Sequence, residues 1–217
     1  YGVILEVIKA QGGIVAHINS ENLLELDESL TRNAKLDFEK RSHKAWTDFL
    51  LQVFRVFSLA KVEKYLPGID ASYIESNIYD KSEKMLLSWI NDVFEQNRVA
   101  LFGLERRTII NFDNDLRDGL VLGSLVAFYC PHFKEDLQKM FVSCTMAEQC
   151  LHNALILLEI FRKIRIEMIP LATQITDPNP ITMLMLLVNL AEVLPSLKPI
   201  GRLLITVYLF TIKISPI

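Results

Sequence analysis

Glycine, proline and cysteine are all scarce in this chain, at 8, 8 and 3 of 217 residues. With so few turn-formers, an apolar share of 51% and a positive mean hydropathy, the chain cannot be a disordered tail. It reads as an ordered, mostly helical protein with one sizeable core. The odd count of Cys130, Cys144 and Cys150 excludes a fully paired disulfide framework, so reduced thiols and an intracellular home are expected. His132 and His152 follow Cys130 and Cys150 at a spacing that matches no usual paired-ligand zinc pattern. Cationic excess is missing too. The net charge of −3 predicts no general affinity for nucleic acid.

Catalytic signatures are absent as well. The sequence shows no glycine-rich phosphate loop, nucleophile–base pair or metal-ligand set. His17, His43, His132 and His152 have no sequence neighbour that suggests a triad. Neither an enzyme nor a cofactor is expected. The continuous apolar runs at 3–8 and 203–212 fall short of the ~20 residues that a membrane-crossing helix needs, and no membrane partner is expected. The apolar tail at 203–212 (LLITVYLFTI) reads as a buried strand or the start of a next, β, module within an uncertain segment 200–217. No basic stretch precedes the apolar residues 3–8, so no signal peptide is expected. The first residue is Tyr1 and not Met, and the chain is expected to be cut from a longer polypeptide.

What is present is helical periodicity. Residues 1–36 are the least legible: Gly12 and Gly13 break an apolar start from IVAHINSENLLEL, and the segment is expected to close a preceding domain. From Ser42, the residues Trp46, Phe49, Leu50, Val53, Phe54 and Phe57 recur at helical spacing. They predict an amphipathic helix of about 20 residues, which Pro67–Gly68 ends or follows, within a basic helical extension over 37–80. Asp80 and Glu83 form a capping box ahead of a stripe of Leu86, Trp89, Ile90, Val93 and Phe94. A loop over 97–113 carries Arg106 and Arg107. Thr145 and Glu148 form a second capping box, ahead of Cys150, Leu151, Ala154, Leu155, Leu158 and Phe161 at core spacing. Arg162, Lys163 and Arg165 then place cations where the helix dipole is negative. Asn179 caps a last helix with Pro180 at its first position. That helix, 181–194, is almost wholly apolar, is ended by Pro195, and is expected at the centre of the bundle.

The segment DNDLRDG, residues 113–119, invites a calcium reading. A calcium loop needs oxygen ligands at positions 1, 3 and 5, Gly at 6 and Glu at 12. Counted from Asp113, those last three places hold Arg117, Asp118 and Ser124, so the pattern fails. Carboxylates at a helix N-terminus are also favoured in their ionised form, which argues against a raised pKa for acid–base work. The reading that explains each residue is a helix start. Asp115 is the expected cap, Asp118 reaches back, and Gly119 and Gly123 share a face that a neighbouring helix approaches closely.

Trp89–Ile90, then FDNDLRDGLVLGSLVAFYCP, a long third helix and a buried last helix after DPNP together resemble a calponin homology domain. Asp118, Gly119 and Leu122 carry the most specific element, with Trp89 in the first helix, Leu151 and Ala154 in the third and 182–190 in the last. The resemblance covers residues 81–195. It implies an all-α, calponin-homology-like helical bundle over 81–199 with an N-terminal helical extension, and binding in place of chemistry. Cys150 stands where many members have Asn, and the last helix lacks the aromatic common near its middle. The embedding of such a domain among other modules is similar to that in large cilia- and flagella-associated proteins. The implied partners are cytoskeletal or axonemal proteins, with actin or tubulin among them, and the implied location is the cytoskeleton of a cilium or flagellum.

Charge separates two uses of such a domain. Residues 81–199 carry 12 basic and 14 acidic side chains, about −2 net, whereas a domain that binds an acidic filament alone is expected to be basic. That favours a scaffold module held by its neighbours. Between residues 32 and 64, eight basic side chains face four acidic ones, which is a solvated face or a contact for an acidic partner. Direct filament binding would use Arg162, Lys163 and Arg165, joined by Lys40, Arg41 and Lys44. A third reading is a module that regulates an enzyme elsewhere in the parent chain.

Overall fold

A computed structural model of the chain describes residues 1–24, 29, 31–72 and 74–197. The expected strand at 203–212 lies outside the described residues. The chain divides into two compact units, the first spanning Tyr1–Lys61 and the second beginning at Val62.

In the first unit, helix α1 (Gly2–Ala10) offers Leu5 and Ile8 to helix α2 (Arg32–Phe57), which offers Ala45 and Phe49 in return. Val15, Ile18 and Leu23, from the turn between them, complete this small core, with Trp46, Val53 and Val56 packed beside it. The Gly12–Gly13 break is built into that turn. Gly12 has φ 90°, and a Cβ on Gly13 would run into Ile8 Cγ2, so a larger residue would force Ile8 of α1 to shift. Gln52 on α2 fixes the return by accepting the Ile14 N–H at 2.8 Å.

α2 differs from expectation in two ways. It starts at Arg32, behind Thr31, and not at Ser42, so it runs through the expected boundary at residue 36. Leu50 and Phe57, expected in the core, are exposed. The unit is small, and only the narrow stripe through Ala45 and Phe49 meets α1 and the turn. Pro67–Gly68 follow a separate short helix, α3 (Val62–Tyr65), which opens the second unit.

The second unit holds α4 (Lys81–Phe102), α5 (Leu120–Tyr129), α6 (Lys134–Leu137), α7 (Ala147–Lys163), α8 (Ala172–Thr176) and α9 (Pro180–Leu197). α4 begins where Glu83 accepts the Asp80 N–H at 2.7 Å, and it buries Leu86, Trp89, Ile90, Val93 and Phe94. It also extends into the expected loop as far as Phe102. There Leu101 and Phe102 are buried, and Gly103, at φ 67°, turns the chain away.

α5 is the centre of this unit: every residue from Leu120 to Ala127 is buried, and the helix packs against α4, α6, α7 and α9. Gly123 makes room there. A Cβ would meet Met140 Sδ at 3.2 Å and Phe102 Cζ at 3.3 Å. The last helix is therefore not the central one. α9 turns Met183, Leu186, Leu187, Leu190, Ala191 and Leu194 inward but leaves Ile181 and Met185 exposed. It continues past Pro195 to Leu197, because a proline in the final turn removes only one late hydrogen bond.

α7 is rotated from the expected face. Cys150, Ala154, Leu158 and Phe161 are buried, but Leu151 and Leu155 are exposed, while Asn153, Leu157 and Ile160 point inward. Its cap is shifted by one residue as well. Met146 takes the cap position, so Gln149, not Glu148, reaches back to accept the Thr145 and Met146 N–H groups at 2.8 and 3.1 Å.

Candidate functional site

The DNDLRDG segment is a fastening between α4, α5 and α7. Asp113 opens a single 3-10 turn, Asn114–Leu116, and α5 begins only after Gly119, which sits in the left-handed region at φ 73°. Asp115 is therefore not the cap of α5. Its carboxylate accepts the Ile110 and Asn111 N–H groups at 2.8 and 3.3 Å, holding the preceding loop. Asp118 does not reach back to Asp115 either. It accepts the Leu120 N–H at 2.9 Å and forms a two-pronged pair with Arg107 at 2.6 and 3.0 Å. The Arg107 guanidinium lies 5.1 Å above the Phe94 ring. A Cβ on Gly119 would lie 2.9 Å from Leu157 Cδ1, so Gly119 brings α7 close outside the helix, not within it.

Behind this fastening is Asn153, fully buried. Its carbonyl accepts the Phe141 N–H at 2.7 Å, and its amide donates to the Asp118 and Phe141 carbonyls at 2.9 Å each and to Cys144 Sγ at 3.4 Å. The Cys144 thiol is pushed up to about 12, chiefly by burial, then by the Cys150 side chain and the Asp118 charge. A thiol held protonated in this way is a poor nucleophile. Among the described residues no three His, Cys, Asp or Glu side chains are grouped to hold a metal ion. The carboxylates of Asp115 and Asp118 serve different donors and do not converge on one point.

The surface candidates fall into two groups. Arg162, Lys163 and Arg165 come together, exposed, at the C-terminal end of α7. Lys163 is partly neutralised there by Glu159 at 2.7 Å, which also raises its pKa, and its ammonium lies 5.9 Å from the Phe133 ring centroid. Arg162 and Arg165 form no ion pair among the described residues. Arg165 adopts φ 59°, the single described non-glycine residue at positive φ, in the turn where the Ile166 N–H bonds back to the Phe161 carbonyl. Glycine is the usual occupant of such a turn. Arg165→Gly should therefore raise the unfolding free energy by about 1 kcal/mol, measured by urea denaturation. A loss of stability would show that the arginine side chain supports the turn. The second group, Lys40, Arg41 and Lys44, is exposed on α2 in the first unit, where Arg41 Nε donates to the Asp37 carbonyl at 3.3 Å. The two groups thus belong to different units.

Trp89, Leu122 and Ala154 are buried, and Asn179 accepts the Ile181 and Thr182 N–H groups at 3.0 and 3.2 Å. Two residues of the fastening are missed in the sequence: Asn153, which no motif marks, and Arg107, which stands out only as a loop cation. Its partner Asp118 is 11 positions away, across an irregular segment, and no local spacing rule links such a pair.

With this helix order and fastening in view, comparison with known families is decisive. The family model described as Calponin homology (CH) domain matches residues 80–196. The chain belongs to the calponin homology family. Similarity also reaches beyond the calponin homology domain itself. Mouse cilia and flagella-associated protein 47 is 35% identical over 90% of this chain. Human cilia- and flagella-associated protein 47 is 33% identical over the same share. The chain spans only 7–8% of the length of these two relatives. No solved structure matches it.

Proposed function

We propose that this chain is a non-catalytic protein-interaction module of a ciliary or flagellar, axonemal scaffold, held in place by neighbouring modules of a larger parent chain. The observation that carries this reading is the extent of the similarity. It covers 90% of the chain, whereas the calponin homology domain accounts for residues 80–196. The first unit and the domain thus travel together in proteins named for cilia and flagella. The near-neutral charge of residues 81–199 agrees with docking between neighbours, since filament binding by a lone domain draws on a basic surface.

A second reading, direct binding to actin or microtubules, is favoured by one specific observation. Arg162 and Arg165 are exposed together, and Arg165 keeps an arginine where the backbone suits glycine. Co-sedimentation of the whole chain with actin filaments, and separately with microtubules, distinguishes the two. The scaffold reading expects pelleting only at low salt or not at all, because surface attractions are screened within ~8 Å at physiological ionic strength. Pelleting that persists at physiological salt and is lost in Arg162→Glu/Arg165→Glu would establish direct binding instead.

A further inference from the structure

The outward face of α2 carries a second pattern that the unit's own core does not use. Leu36, His43, Leu50 and Phe57 stand seven residues apart, and Lys40, Thr47 and Phe54 each follow one of them by four. Those positions share one face of the helix, as the a and d positions of a pairing helix do, and four of the seven, Leu36, Leu50, Phe54 and Phe57, are apolar. Leu36, Leu50 and Phe57 are 52%, 58% and 43% exposed, while the stripe through Ala45 and Phe49 on the opposite side faces α1. α2 is 26 residues long, about 39 Å, enough for more than three heptads. The stripe through Ala45 and Phe49 holds the small unit together; the outward one adds Leu36 near its start and an apolar patch of Leu50, Phe54 and Phe57 at its C-terminal end.

The occupant is identified by charge. α2 carries six basic and three acidic side chains. Lys40 lies in the outward stripe and Lys44 beside it, both exposed and without an ion pair among the described residues. The stripe is polar and basic toward its N-terminal half and apolar and aromatic toward Leu50, Phe54 and Phe57. A second copy of the chain fits poorly. In parallel it would set Lys40 against Lys40 and His43 against His43, and in antiparallel the aromatic end would face the lysine end.

We propose that this face docks an amphipathic helix of a partner protein, apolar at heptad spacing and acidic along its flanks. The inference rests on the reading of the chain as an interaction module. Filament pelleting probes the end of α7 in the second unit, whereas the experiment below probes this face alone, so each can fail without the other.

The test is a fluorescence-anisotropy titration of the whole chain into a labelled four-heptad peptide with leucine at the a and d positions and glutamate at e and g. Saturable binding in the micromolar range is expected. Leu50→Glu should weaken it about tenfold, as for loss of a central apolar anchor. Lys40→Glu/Lys44→Glu should weaken it by a similar, about tenfold, factor, and a lysine-flanked version of the peptide should restore it. The substituted side chains are exposed, so circular dichroism melts should match those of the unaltered chain. Absence of saturable binding, or equal binding of the glutamate and lysine peptides by the unaltered chain, would overturn the proposal. A dimer in sedimentation that Leu50→Glu dissociates would also overturn it and assign the face to a second copy.

Discussion

Replacing Trp89 with alanine should lower the unfolding free energy of the second unit by about 3–5 kcal/mol, the range for truncating a buried aromatic. The indole is 1% exposed and lies midway along α4, with Leu86, Ile90 and Val93 of the same helix buried beside it. Its Nε1 donates to the Tyr129 hydroxyl at 2.9 Å, at the end of the central helix α5. Burial raises the Tyr129 pKa, so the phenol remains a neutral partner at physiological pH. The alanine variant loses both the ring volume and that bond. Trp89→Phe separates them: it keeps most of the volume and should cost only about 1–2 kcal/mol. Urea denaturation followed by far-ultraviolet circular dichroism measures both. A loss below about 1 kcal/mol for the alanine variant would mean that this position tolerates a cavity and that α4 packs differently.

Asn153→Ala is the second large effect, at about 3–4 kcal/mol. The substitution strands the Phe141 N–H and the Asp118 and Phe141 carbonyls around the fully buried Asn153 position. An orphaned buried polar group costs about 1–3 kcal/mol, and the losses at one site overlap instead of adding in full. Asn153→Asp is the informative companion. It keeps an oxygen toward the Phe141 N–H but replaces the amide donor with a buried negative charge facing two carbonyls, so it should be at least as damaging. The same denaturation measurement decides. If both variants fall within about 1 kcal/mol of the parent, the three segments meeting at Asn153 are held by apolar contact and not by these bonds.

The contrast between Trp89 and Asn153 shows what the sequence exposes and what it conceals. The Leu86–Trp89–Ile90–Val93–Phe94 stripe is legible because the opposite face of α4 is polar, so one period fits. α7 is harder. Leu151 and Leu155 have the same spacing as Ala154 and Leu158, so two faces compete. The deciding residue is Asn153, which apolar periodicity does not single out and which tertiary hydrogen bonds hold inward. α2 repeats the problem: Leu50 and Phe57 compete with the Ala45 and Phe49 stripe, and the structure buries only the latter. At DNDLRDG, local capping rules identify a helix start but not the assignment of its carboxylates. Asp115 and Asp118 are claimed by the 107–111 segment through contacts that no helical spacing predicts. The surface candidates are legible only as charges. That Arg162 and Arg165 form no ion pair among the described residues while Lys163 answers to Glu159 depends on side-chain placement at the end of one helix.

The complete burial of α5 has a further consequence in time as well as in energy. A helix with a wet face can release its amide protons by fraying one turn at a time, but α5 from Leu120 to Ala127 has no such face. Deuterium can reach its mid-helix amides only when the surrounding helices part together. The slowest-exchanging amide protons among the described residues should therefore lie in α5, and their rate reads the opening of the second unit.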